Sequence, residues 1–150
     1  MGKIEEEIKQ KSFKNEFVKA HVNLMYTFHH FNNRVSKAIK VHKLTNQQYN
    51  VLRILRGSYP DFKRVGDVKA VMLDKNPDLT RLIDRLLAKK LVDRENCDQD
   101  RRQVNIKITE AGLKLLEIID ADMQKIEKKF ESISEAEAKE LNRILDKWRG

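Results

Sequence analysis

Apolar residues recur at steps of three and four from Phe13 to Ile39, through Phe17, Ala20, Leu24, Phe28, Phe31, Val35 and Ala38. That period places one apolar stripe along one long helix. Neither Gly nor Pro occurs between Lys3 and Gly57, so nothing interrupts the helix before the Lys43-Leu44-Thr45 junction. Thr45 has the hydroxyl of an N-cap for a second helix. In that helix Tyr49, Leu52 and Leu55 form the buried face, Val51 and Ile54 lie beside it, and Gly57 ends it. "SYPDF" is a turn around Pro60, and "RVGDVKAVML" is a short helix. Asn76 can then cap a helix in which Pro77 takes the first position, where its missing N–H costs nothing. From Pro77 to Lys90, Leu79, Leu82, Ile83, Leu86 and Leu87 face inward. Asp78, Arg81, Arg85 and Lys89 share the outer face with Asp84 and Ala88.

The period then changes from helical to alternating. "LVDRE" is a short strand, "NCDQDRR" a loop and "QVNIKI" a returning strand, with Val104, Ile106 and Ile108 on one face. Thr109 caps a helix from about Glu110 into the 120s, with Leu113, Leu116, Ile119, Met123, Ile126 and Phe130 in its stripe. Ser134 with Glu137 three residues on is a capping-box pattern. It opens a last helix with Leu141, Ile144, Leu145 and Trp148 on its apolar side.

At 150 residues the chain is expected to form one domain. No apolar run approaches the ~18 residues of a membrane span, and "MGKIEEEIKQKSF" has no apolar core of a secretory signal. One cysteine allows no intramolecular disulfide. Together these point to the cytoplasm and its reducing conditions. The formal charge is +8, and its distribution is uneven. Residues 1–44 carry 9 basic and 4 acidic side chains, residues 45–60 carry 2 and 0, residues 61–107 carry 12 and 9, and residues 108–150 carry 8 and 10. The basic excess therefore lies ahead of an acidic C-terminal quarter, which suits a polyanionic partner.

Helix, turn, second helix with a basic outer face, then a two-stranded hairpin: this order is a helix-turn-helix with a β-wing. A B-DNA major groove admits one α-helix. Arg81 and Arg85 stand one turn apart on the outer face, and guanidinium groups reach guanine edges or phosphates in bidentate fashion. Asp78, Thr80 and Arg81 occupy the N-terminal turn, where base contacts concentrate, and Lys89 is placed for phosphate. Arg101 and Arg102 at the wing tip suit the negative potential of a narrow minor groove. Asp100 beside them either orients a guanidinium or serves turn chemistry.

The stretches "LTNQQYNVLRIL" (44–55), "LTRLIDRLLAKKLVDR" (79–94) and "DRRQVNIKITEAG" (100–112) resemble the MarR family of bacterial winged-helix transcriptional regulators. The last carries Asp-Arg-Arg, alternating strand residues and Thr-x-x-Gly, and the resemblance extends over essentially the whole chain. Thr80, Arg81 and Arg85 match the family's recognition helix, and Asp100, Arg101 and Arg102 match its wing. The resemblance implies a mainly α (α+β) fold: a winged helix-turn-helix with a long N-terminal and two C-terminal dimerisation helices. Residues 1–44 and 110–150 would form the dimerisation region of a single MarR-like domain, and 45–109 the DNA-binding lobe. It implies a homodimer reading a pseudo-palindrome as a ligand-responsive repressor. Phe13, Phe17, Ile144, Leu145 and Trp148 fit the dimer interface on their own account, as apolar positions without obvious partners inside one subunit.

The resemblance also implies a small aromatic or phenolic effector between dimer helices and DNA-binding lobe; Met25, Phe28, Phe31 and Tyr49 are the candidate lining. The peroxide-sensing branch places a reactive cysteine near the start of the first long helix, whereas the cysteine here is Cys97 in the wing loop. His21, His29, His30 and His42 contain no His-x-x-x-His pair, so no metal site is expected. No cofactor is expected either. Without a Gly-rich phosphate loop or a nucleophile–base pattern, the chain does not read as an enzyme. A winged-helix protein-interaction module without specific DNA binding is the alternative, with the acidic C-terminal helices as a docking surface.

Overall fold

The long helix begins where Asn15 accepts the backbone N–H of Val18 at 2.9 Å. In this computed structural model, which describes residues 2–74, 78–96 and 104–150 and only the backbone of Asn96, α2 runs Glu16–Val41. Phe13 therefore lies ahead of the helix rather than in it. A short helix α1, Ile4–Glu7, precedes it, which the acidic run "IEEE" did not announce. α1 folds back onto α2: Ile4 is buried, Glu5 pairs with Lys19 at 2.6 Å, and the Tyr26 hydroxyl donates to Glu7 at 2.8 Å. These bonds hold the Glu5 and Glu7 carboxyls below the usual glutamate range and push the Tyr26 phenol up.

Thr45 caps α3, Asn46–Arg56, in a complete capping box with Gln48. Tyr49, Val51, Leu52 and Leu55 of α3 are buried. After Pro60, a two-residue strand β1, Lys63–Arg64, leads into α4, Val65–Val71. α5 runs Leu79–Ala88 and ends in a Schellman motif. There Lys90, at φ 58°, donates to Leu87 O at 2.8 Å, and Leu91 donates to Leu86 O at 3.0 Å. This closure turns the chain into β2, Val92–Asn96, which pairs with β3, Val104–Ile108.

β1 adds to the other edge of β3, through Lys63 opposite Ile106 and Arg64 opposite Asn105, so the antiparallel sheet has the order β1-β3-β2. The sequence pattern gave a two-stranded wing; the third strand is too short to carry a period of its own. Thr109 caps α6, Glu110–Glu127, by accepting the N–H of Gly112 at 3.1 Å. A single 3-10 turn, Phe130–Ser132, and the Ser134–Glu137 capping box then lead into α7, Glu135–Arg149. One core joins Ile39 at the end of α2 with α3, α4, α5, the sheet and α6 through Met123. α7 contributes no buried residue. No helix among the described residues is long and apolar enough to cross a membrane.

Candidate nucleic-acid interface

The apolar side of α5 fixes which side faces out. Leu79, Leu82, Ile83 and Leu86 are each at most 6% exposed and lock the helix against the core. The opposite side then presents Thr80, Arg81, Asp84 and Arg85 to solvent. The sequence pattern put the cap at Asn76; in the structure Asp78 is the N-cap, its carboxylate accepting the Arg81 N–H at 3.3 Å. Asn76 and Pro77 lie outside the described residues. The same carboxylate meets Arg81 Nε at 3.1 Å, yet the Arg81 side chain remains 79% exposed. Asp78 thus acts as cap and as a local restraint on Arg81. Asp84, the more obvious sequence partner for either arginine, makes no ion pair with a described residue.

Lys89 is at the far end of α5 and donates from Nζ to the backbone carbonyl of Lys43, where α2 meets α3. Its ammonium is used to hold two elements together, whereas Arg85 forms no ion pair among the described residues. Asp100, Arg101, Arg102 and Cys97 lie outside the described residues. The strands that flank them in sequence, β2 and β3, are in full register from Val92–Ile108 to Asn96–Val104. The base of the wing is therefore fixed relative to α5. At that base Gly112 approaches Leu91 so closely that an added Cβ would sit 2.5 Å from Leu91 O. This gives a physical reason for the glycine of Thr-x-x-Gly: it lets α6 start against Leu91, where the chain enters β2.

Of the five residues proposed for a dimer interface, Phe17, Ile144, Leu145 and Trp148 line two grooves between α2 and α7. Phe17, at 80% exposure, lines an apolar groove of about 340 Å³ with Ala20, Ile144, Lys147 and Trp148. Leu145 and Trp148 line a second groove of about 370 Å³ with His21, Leu24 and Arg149. Phe13 is half-buried and lines neither groove. The apolar stripe of α2 therefore changes role along its length. Its C-terminal part, Val35, Ala38 and Ile39, packs into the core, while Phe17, Leu24 and Phe28 remain open.

The four candidate effector residues are not brought together. Tyr49 is in the core at 7% exposure, with the Arg53 guanidinium 5.8 Å from its ring centre, and burial pushes its phenol up. Phe31 meets Phe130 edge-to-face at 4.9 Å, and Met25 is 42% exposed. Phe28 alone of the four lines a cleft of about 410 Å³ between α2, α3 and the end of α4, with Asn32, Asn46, Asn50, Met72 and Leu73. Asn46 donates to Asn32 Oδ1 at 2.9 Å and to Ser36 Oγ at 2.7 Å, whereas Asn50 Oδ1 is buried with no hydrogen-bond partner. The signal for these amides was the i, i+4 spacing of Asn46 and Asn50, polar positions on a helix otherwise read for its apolar face. No group of three or more metal-ligating side chains occurs among the described residues.

Residues 34–119 match the family of transcriptional regulators SarA/Rot. A MarR transcription factor from Planctomyces limnophilus is 30% identical, with 90% of this chain and 98% of that one covered and a TM-score of 0.71. A MarR-like transcription regulator from Bacillus cereus superposes with a TM-score of 0.78 at 18% identity, covering 89% of this chain and 96% of that chain. A mutant MarR from E. coli complexed with operator DNA gives 0.76 at 22% identity, covering 91% and 98%. These relatives are regulators and not enzymes. The match spans α3, α4, α5, the wing strands and the Thr-x-x-Gly start of α6, and the chain belongs to the SarA/Rot family of transcriptional regulators, within the MarR type of winged-helix proteins.

Proposed function

We propose that the chain is a sequence-specific, double-stranded DNA-binding repressor that acts in the cytoplasm as a homodimer on a pseudo-palindromic site. One observation carries the reading. α5 is bolted to the core by its leucines and presents Thr80, Arg81 and Arg85 outward from a fixed axis. A helix held that way can enter a major groove without reorganising, and two guanidinium groups one turn apart suit guanine edges and phosphates. The winged-helix likeness to a MarR protein complexed with operator DNA supports the same docking. In this reading residues 45–109 are the DNA-binding lobe, and Asp100, Arg101 and Arg102 bring the wing tip to the minor groove.

Residues 1–44 and 110–150 form the dimerisation region, with the bare stripe of Phe17 and Leu24 and the apolar side of α7 covering their copies in a second chain. A two-fold pair sets the two α5 helices about one DNA turn apart. An aromatic or phenolic effector occupies the Phe28 cleft, where Asn50 Oδ1 accepts its hydroxyl, and shifts the lobes to release DNA.

Binding-site selection from random duplexes, followed by fluorescence anisotropy on the selected and a scrambled site, tests the proposal. Arg81→Ala should cost about 1–3 kcal/mol on the selected site and much less on the scrambled one. Equal loss on both would remove the base-reading role. Sedimentation should give a dimer, and Trp148→Ser should shift it toward monomer. Phe28→Ala should abolish any effector-induced change in affinity. Failure to bind any duplex at low salt would favour the protein-interaction module instead.

A further inference from the structure

Strand register gives Arg94 an unusual position. It pairs with Ile106, which is fully buried, and lies two residues beyond Val92, which is 2% exposed. Alternate residues of a strand share a face, so Arg94 is on the inner face of the wing, the face toward α5. At Val92 that face is covered by the core; at Arg94 the side chain is exposed, although Ile106 opposite it is fully buried. There it borders a notch of about 80 Å³ between wing and recognition helix, with Val65, Thr80, Ile83, Asp84 and Val104 as the other walls.

Arg94 makes no hydrogen bond or ion pair with a described residue, and the nearest acidic wall, Asp84, is itself free of ion pairs among them. A cation on the inner face of a strand with no bond to the fold contributes little to stability. Its position matters more. A duplex that takes α5 into its major groove and meets the wing beside it must carry one phosphate backbone across the boundary between the two, and the notch is that boundary. That one backbone offers a negative charge about every 3.4 Å of helix axis.

Building on the DNA-binding reading above, we propose that Arg94 clamps a DNA phosphate in the notch between α5 and the wing, and that Asp84 opposes it by holding a carboxylate on the same wall. The contact sets the register of α5 in the groove and reads no base. The bases are left to Thr80, Arg81 and Arg85.

Anisotropy titrations on a selected and a scrambled duplex between 50 and 200 mM KCl separate this role from base reading. Arg94→Gln keeps two of the three methylenes of the stem and removes the charge. It should weaken both duplexes by a similar factor, about tenfold, and lower the slope of log K against log salt by about 0.9. Arg94→Lys should restore the slope, which a merely structural role for the residue would not do. Asp84→Asn should tighten both duplexes. An unchanged slope for Arg94→Gln, or a loss confined to the selected site, overturns the clamp. If Arg81→Ala still loses the selected site while Arg94→Gln binds like the wild type, the clamp alone falls. If the wild type binds neither duplex, the DNA-binding reading falls with it.

Discussion

The same substitution should have opposite signs at two glycines, and the structure says why. In α6 an added Cβ at Gly112 would lie 2.5 Å from Leu91 O and 2.6 Å from Ile108 Cγ1. Ordinary contact begins near 3.4 Å, so the carbonyl would have to retreat by about 0.9 Å. It is not free to do so, because it accepts the Thr109 N–H at 3.1 Å and Ile108 is fully buried. Helix propensity favours Ala over Gly by about 1 kcal/mol. Overpacking costs about 1–3 kcal/mol, and weakening the Leu91–Thr109 hydrogen bond adds about 1 kcal/mol. The clash wins, and Gly112→Ala should destabilise by about 1–3 kcal/mol, with Tm lowered by about 2–4 °C per kcal/mol.

Gly66 in α4 has nothing within 4 Å of an added Cβ. There only propensity acts, and Gly66→Ala should stabilise by about 0.5–1 kcal/mol. Urea unfolding of both variants and the wild type at one fixed protein concentration measures the difference, since association would otherwise move the midpoint. A Gly112→Ala protein as stable as the wild type, or a Gly66→Ala protein destabilised to the same degree, would refute the reasoning.

Two further outcomes follow from particular residues. Lys90 closes α5 at φ 58°, a region where a Cβ is strained, and Lys90→Gly should raise the urea midpoint by an amount worth up to about 1 kcal/mol. A lowered midpoint would show that the lysine side chain supplies more than the strain removes. The fold-back of α1 should respond to acid. Its Glu5 and Glu7 carboxyls titrate below their ordinary value of 4.5, so their contribution is complete above that pH and is lost as pH falls from 4.5 through the depressed values. NMR of the Ile4 methyl groups should show α1 releasing in that window, ahead of global unfolding; signals unchanged until the whole chain unfolds would contradict it.

The sequence by itself determined the helices from α2 onward, the wing and the outer face of α5. Each rests on spacings of two to four residues. Thr45, Thr109 and Ser134 are legible as caps because a cap is a bond across three residues, and Leu79, Leu82, Ile83 and Leu86 are legible as a core face because one helix turn repeats them. The resemblance to MarR regulators rested on the same short patterns.

Only the tertiary structure decided what distant elements do to one another. β1 exists because Lys63 and Arg64 meet β3, about forty residues away, and two residues alone have no period to read. Tyr49 went to the core rather than the Phe28 cleft, and the exposed Lys89 reached a carbonyl at the α2–α3 junction. Arg94 drew no notice as one charge among many in a polar strand; register with Ile106 put that charge in a notch beside α5. A side chain's neighbours in space depend on how elements cross, and that is fixed by the packed core as a whole rather than by any stretch of sequence short enough to show a pattern.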